Sequence, residues 1–180
     1  MDNDFSRALI EGIVRRSLRN MKDSPERSIR NLIDMALNFS EGQFQRSFFE
    51  SMQNTLRNEK GAYYGLIRDM AVTIDPDRLL SFGMNLGYDG LYQGSKRIRQ
   101  ETAFHTPWTV SLSIGEKKLY DYHHNLIDQG ENLGIHSWHL FSDRAIHECM
   151  TLAEQHPDSA FAVVCPSSSN IGVLIDEAQD

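Results

Sequence analysis

Apolar residues recur every three to four positions through the first half of the chain and then give way to short alternating or continuous runs, which predicts helices first and an α/β arrangement after them. Phe5, Leu9, Ile13, Val14 and Leu18 fall on one helical stripe, with Arg15, Arg16 and Arg19 mostly elsewhere, so an amphipathic helix is expected from Phe5 to about Met21. Ser24, Pro25 and Glu26 form a start signal, because a hydroxyl can cap orphan amides and proline's fixed φ suits the first helical position. The helix that follows would bury Ile29, Leu32, Ile33, Ala36 and Leu37. Ser40 with Gln43 resembles a capping box and opens a third helix with the stripe Phe44, Phe48, Met52 and Leu56, ended by Asn58 to Gly61. A fourth helix is expected from Ala62 to Val72. Asp75-Pro76 caps a fifth that carries Leu79, Leu80, Phe82, Met84 and Leu86. Gly83, Gly87, Gly90 and Gly94 weaken it, at about 1 kcal/mol per glycine relative to alanine.

Beyond Arg99 the period changes. Trp108 to Ile114 alternates and is rich in β-formers, so it reads as a strand. Lys117 to Asn132 is helical, with Leu119, Tyr122, Leu126 and Ile127 inward, and Gly134 stops it. Ile135 to Phe141 is a second strand. Arg144 to Gln155 is a helix burying Ile146, Cys149, Met150, Leu152 and Ala153, closed by His156-Pro157-Asp158. Ala160 to Cys165 is apolar throughout, as expected of a central parallel strand covered on both faces. The fold class is therefore α/β: a helical region over 1–104, then three β/α units of a parallel sheet over 105–180, with the boundary near Arg99 to Thr106.

Composition narrows the function classes. With 180 residues, 40% of them hydrophobic, the chain is expected to form one compact unit with two sub-regions. A net charge of -7 provides no basic field for a polyanion, so nucleic acid is not the expected partner. The N-terminal arginines are balanced by Asp2, Asp4, Glu11, Asp23 and Glu26 and read as a solvated face. No continuous apolar stretch marks a secretory signal or a membrane span, and the cytoplasm is the expected location. Cys149 and Cys165 are the two cysteines, on different predicted elements, and are expected as thiols.

From Asn85 onward the sequence resembles the opening of the barrel of radical SAM proteins, in particular a clostridial type with a helical preface. The matching residues are Pro107-Trp108 at the first strand, Ile127-Asp128-Gln129-Gly130-Glu131-Asn132-Leu133-Gly134 before the second, His156-Pro157-Asp158-Ser159-Ala160-Phe161 entering the third, and Leu174-Ile175-Asp176-Glu177 after it. The resemblance implies a TIM-like barrel, a 4Fe–4S cluster and bound SAM. Such a cluster is held by three thiolates in CxxxCxxC just after the first strand, because soft sulfur ligands are needed to grip it. Gly115-Glu116-Lys117-Lys118-Leu119-Tyr120-Asp121 stands at that place, without a cysteine. The family's Gly-Gly-Glu-Pro, which lets backbone approach the methionyl end of SAM, aligns with Ser142-Asp143-Arg144-Ala145. Two lesions in one site imply a degenerate relative that retains the scaffold, so neither cluster nor SAM is expected as a cofactor. A family barrel has further strands past Glu177, so the sequence is expected to carry a partial barrel, either as a short protein or as a fragment.

Other constellations carry candidate chemistry. His136 and His139 sit three apart on a predicted strand and His123 and His124 are adjacent on a helix, so neither pair has chelating spacing and no metal site is expected. Cys165 at the C-terminal end of the third strand could be a nucleophile with His139 as its base, although a buried core thiol is the stronger reading. Ser142, Asp143 and Arg144 lie at the same edge, where a small phosphate or carboxylate could bind; a helix cap is the plainer role. Phe44, Phe48, Phe49, Tyr63 and Tyr64 read as core aromatics, with Phe49 and Tyr64 candidates for exposure. The balance of motifs is against an enzyme. The expectation is an interaction or regulatory module that pairs with itself through a sheet edge or engages another protein. The alternative is a small-ligand binder or residual enzyme at the C-terminal strand edge.

Overall fold

A computed structural model of the chain describes residues 2–40, 42–58, 60–94, 107–115 and 119–166. The chain divides into two compact units, Met1–Tyr88 and Asp89–Asp180. The predicted boundary at 99–106, the helix start at Lys117 and the tail 174–177 all lie outside the described residues.

The first unit is helical. Its elements are α1 (Asp2–Met21), α2 (Pro25–Asn38), α3 (Gln43–Thr55), α4 (Ala62–Thr73) and α5 (Pro76–Gly83), and α5 runs on into a π-helical stretch, Met84–Gly94. Asp75 caps α5 as expected, its Oδ1 accepting from the backbone N–H of Asp77 at 2.9 Å and of Arg78 at 3.1 Å. Glycines 87, 90 and 94 fall in the π-helical stretch, where they loosen the preference for the tighter α-helical turn.

Five local expectations are corrected. Ser24 stands at the N-cap of α2 but its hydroxyl makes no cap bond. Ser40 does not open α3; its hydroxyl donates back to the Ala36 carbonyl at 2.9 Å, while Gly42 N–H donates to Gln45 Oε1 at 3.3 Å at the start of α3. The first half of the buried stripe of α3 is also displaced by one position, while Met52 and Leu56 lie where expected. Phe44 is exposed, whereas Phe49, Met52 and Leu56 pack with Ile29, Ile33, Tyr64 and Ile67. Tyr64 is the pivot of that core and not a surface aromatic: it is buried, donates from its hydroxyl to the Leu56 carbonyl at 2.6 Å, and accepts from Arg30 Nε at 2.9 Å. In α1 the inward row is Ile10, Val14, Leu18 and Met21, with Leu9 and Ile13 exposed.

The second unit holds a parallel sheet of three strands among the described residues, β1 (Val110–Ser113), β2 (Ser137–Phe141) and β3 (Ala160–Val164), in the order β1-β2-β3. Helix α6 (Tyr120–Asn132) connects the first two and α7 (Ile146–Gln155) the last two. The register aligns Val110 with Trp138 and Trp138 with Phe161, and Leu112 with Leu140 and Leu140 with Val163. These two rows form the sheet's contribution to one core, together with Ile114, Ile127, Ile135, Cys149 and Leu152. Because side chains alternate across a strand, α6 and α7 therefore cover the same face of the sheet.

Among the described strands β3 flanks β2, which lies between the other two, and α6 and α7 pack on one face of the sheet. The opposite face bears the rows Ser111–His139–Ala162 and Ser113–Phe141–Val164, and Phe141 and Val164 are 44% and 45% exposed.

Two glycines hold the α6–β2 connection. Gly134 has φ 81°, and its N–H and that of Ile135 donate to the carbonyls of Glu131 and Gly130, both at 2.9 Å, which ends α6 in a Schellman turn. At Gly130 an added Cβ would lie 2.4 Å from Cη2 of Trp138 and 2.6 Å from Cζ2, so the indole lies directly on the helix backbone.

Candidate functional site

Among the described residues of the second unit, a polar cluster lies at the N-terminal edge of β2 and β3. Helix α6 brings His124, Asp128 and Glu131 to one face, since residues four and three apart are neighbours on a helix. His156 arrives from the C-cap of α7, where Pro157 prevents the helix from continuing, and Ser159 stands immediately before β3.

The His156 side chain is 1% exposed and both ring nitrogens are engaged. Nδ1 lies 3.2 Å from Glu131 Oε2, and Nε2 lies 2.9 Å from Nδ1 of His124. Glu131 accepts on its other oxygen from the Ser159 hydroxyl at 2.7 Å, and Ser159 accepts from the Trp138 indole N–H at 3.2 Å. Asp128 closes the outer side: its carboxylate is 3.5 Å from His124 Nε2 and 3.6 Å from His156 Nδ1. The carboxylate of Glu131 fixes the tautomer of His156, because the Nδ1–H donates to Glu131 and leaves Nε2 with a lone pair. His124 then supplies the proton between the rings. His124, Asp128 and His156 each offer a ligand atom, and these lie within 4.8 Å of one another.

Beside them, His123 is buried and its Nδ1 has no hydrogen-bond partner. Burial lowers its pKa below the usual 6.5, so this ring is held neutral and acts as a core group. His136, the other histidine at this edge, places Nδ1 3.0 Å from the Asp158 carbonyl.

The residues singled out at the C-terminal strand edge do not converge. Ser142 is buried and serves as a brace: its hydroxyl donates to the Ile114 carbonyl and accepts from Ala145 N–H, both at 2.8 Å. Asp143 and Arg144 are exposed and lie 3.6 Å from each other. His139 lies in the open-face row of the sheet. Cys165 follows β3 with the parity of Phe161 and Val163, on the helix-covered side and near enough to Cys149 to add to the rise of that thiol's pKa. The sheet therefore separates Cys165 from the base expected to activate it.

Cys149 is fully buried, and burial, with the charge of Glu148 adding to it, pushes its pKa up to about 11. In the native protein a disulfide reagent such as 5,5'-dithiobis(2-nitrobenzoate) is expected to titrate one thiol promptly, that of the half-buried Cys165, and the second only after unfolding. Cys165→Ser should abolish the prompt phase; prompt reaction of both thiols would contradict the placement of Cys149.

The N-terminal cluster was not anticipated from the sequence; its local signal is the helical spacing of His124, Asp128 and Glu131, and the partner His156 comes from a turn 32 residues away.

Comparison with known proteins gives no matching family model, no matching curated protein and no matching solved structure.

Proposed function

We infer that this protein is a non-catalytic interaction or regulatory protein, built on a scaffold of radical SAM type that has lost its cluster and SAM motifs, and that its first partner is a second copy of itself. The observation that carries the reading is the exposed apolar pair on the sheet face opposite α6 and α7. Phe141 and Val164 are neighbours in register, each nearly half exposed, at the strand edge where α/β proteins place polar chemistry. An apolar pair at that edge suits contact with a protein surface better than it suits the stabilisation of a reacting polar group. Two further features support it. The segment Gly115 to Asp121 offers no thiolate for a cluster, and Arg144, where the SAM ammonium would seek a carboxylate, carries the same sign of charge.

Light scattering coupled to size exclusion over a range of concentrations tests this. A reversible dimer is expected, and Phe141→Asp should convert it to monomer with the circular dichroism unchanged. A monomer at every concentration, or stoichiometric iron and sulfide in protein isolated without oxygen, would overturn the reading. No helix among the described residues is long and apolar enough to cross a membrane.

A further inference from the structure

We propose that the cluster of His124, Asp128 and His156 is a binding site for a divalent transition-metal ion of the zinc or cobalt type, with Glu131 as its positioning carboxylate. This stands apart from the self-association reading and uses the other edge of the sheet. Its starting point is the buried imidazole. His156 is held through Nδ1 by Glu131, which is itself held by Ser159 and, behind it, Trp138. Metal-binding histidines are oriented in this way, one nitrogen donating to a carboxylate while the other presents its lone pair. Here Nε2 of His156 faces Nδ1 of His124 at 2.9 Å.

Two imidazoles in that contact share one proton. A divalent ion takes that place when His124 changes tautomer, its proton passing from Nδ1 to Nε2 on the side of the Asp128 carboxylate 3.5 Å away, so that the two facing nitrogens become ligands and Asp128 turns a carboxylate oxygen toward the ion as a third. Tetrahedral geometry with metal–nitrogen bonds of about 2.0–2.1 Å needs the two nitrogens about 3.3 Å apart. The rings must separate by a few tenths of an ångström. His124 can provide this movement, since its side chain is 37% exposed while that of His156 is packed. Two nitrogens and a carboxylate oxygen form a borderline donor set, which suits zinc and cobalt and not calcium or magnesium. Asp128 is 47% exposed, so the remaining position opens to water.

The test uses the tag-free full chain with Co²⁺ and Zn²⁺ as the probes. Isothermal titration should find one ion per chain, and Co²⁺ should give the intense visible bands of a low-coordinate site. His124→Ala and Asp128→Asn change partly exposed residues and should leave the fold intact by circular dichroism; each should weaken binding at least tenfold. His136→Ala, outside the cluster, should bind as the unaltered chain does. Failure to bind one equivalent of either ion would overturn the proposal, leaving the cluster as a hydrogen-bonded brace. So would binding that survives both cluster substitutions, which would place the ion on other surface histidines.

Discussion

Gly130→Ala is expected to destabilise the second unit by about 1–3 kcal/mol, read as a lower urea midpoint at unchanged slope. The sign is the informative part. In an exposed helix interior the same change stabilises by about 1 kcal/mol, because alanine is the better helix former. Here the new methyl would stand 2.4 Å from Cη2 of Trp138, and the indole has no free side to move to: it is 1% exposed and its N–H is bonded to Ser159. Either the ring shifts and loses that bond, or α6 lifts from the sheet. A double-mutant cycle separates the clash from the propensity. In a Trp138→Leu background, itself destabilised by lost packing, Gly130→Ala should cost much less or become favourable. Equal costs in both backgrounds would show that the indole does not rest on the helix.

Glu131→Gln should cost about 2 kcal/mol, although it preserves shape and removes only a charge. Two donors converge on this carboxylate, the Ser159 hydroxyl on Oε1 and His156 Nδ1 on Oε2. An amide has one oxygen and one NH₂ group, so it can satisfy one of these donors while setting a donor against the other. Both donor residues are buried, so water cannot take up the unmade bond without opening the turn before β3. Urea unfolding of the variant, compared with Asp128→Asn at the solvent side of the same cluster, provides the check. A loss at Glu131 no larger than that at Asp128 would mean that the inner carboxylate is not the anchor of the network.

The alternation of strands and helices in the second half was legible in the sequence because β-rich runs and helical stripes are local signals. Gly134 and Asp75 were legible for the same reason: each satisfies backbone groups a few residues away. Which side of a helix faces inward was less so. In α1 the rows through Leu9 and Ile13 and through Ile10 and Val14 are both apolar, and in α3 Phe48 and Phe49 compete in the same way, so packing from other helices decides between them. The one-sided covering of the sheet was hidden for a related reason. Ala160 to Val164 is apolar on both faces, and composition cannot say that one of them is open. Of the polar cluster, only the spacing of His124, Asp128 and Glu131 along α6 is a local signal, and it was not singled out. His156 looked like a helix end, and its contact with His124 exists only because α6 and α7 lie side by side on the sheet.

The strand order has a consequence for where ligands could enter. In doubly wound α/β proteins a crevice opens at the point where successive crossovers leave in opposite directions, and nucleotides settle there. Here the chain moves from β1 to β2 to β3 without turning back, and both returning helices lie on one side, so no two neighbouring loops at the carboxyl ends part to make such a cleft between the described strands. Between the described strands, then, the order β1-β2-β3 supplies no switch point of that kind.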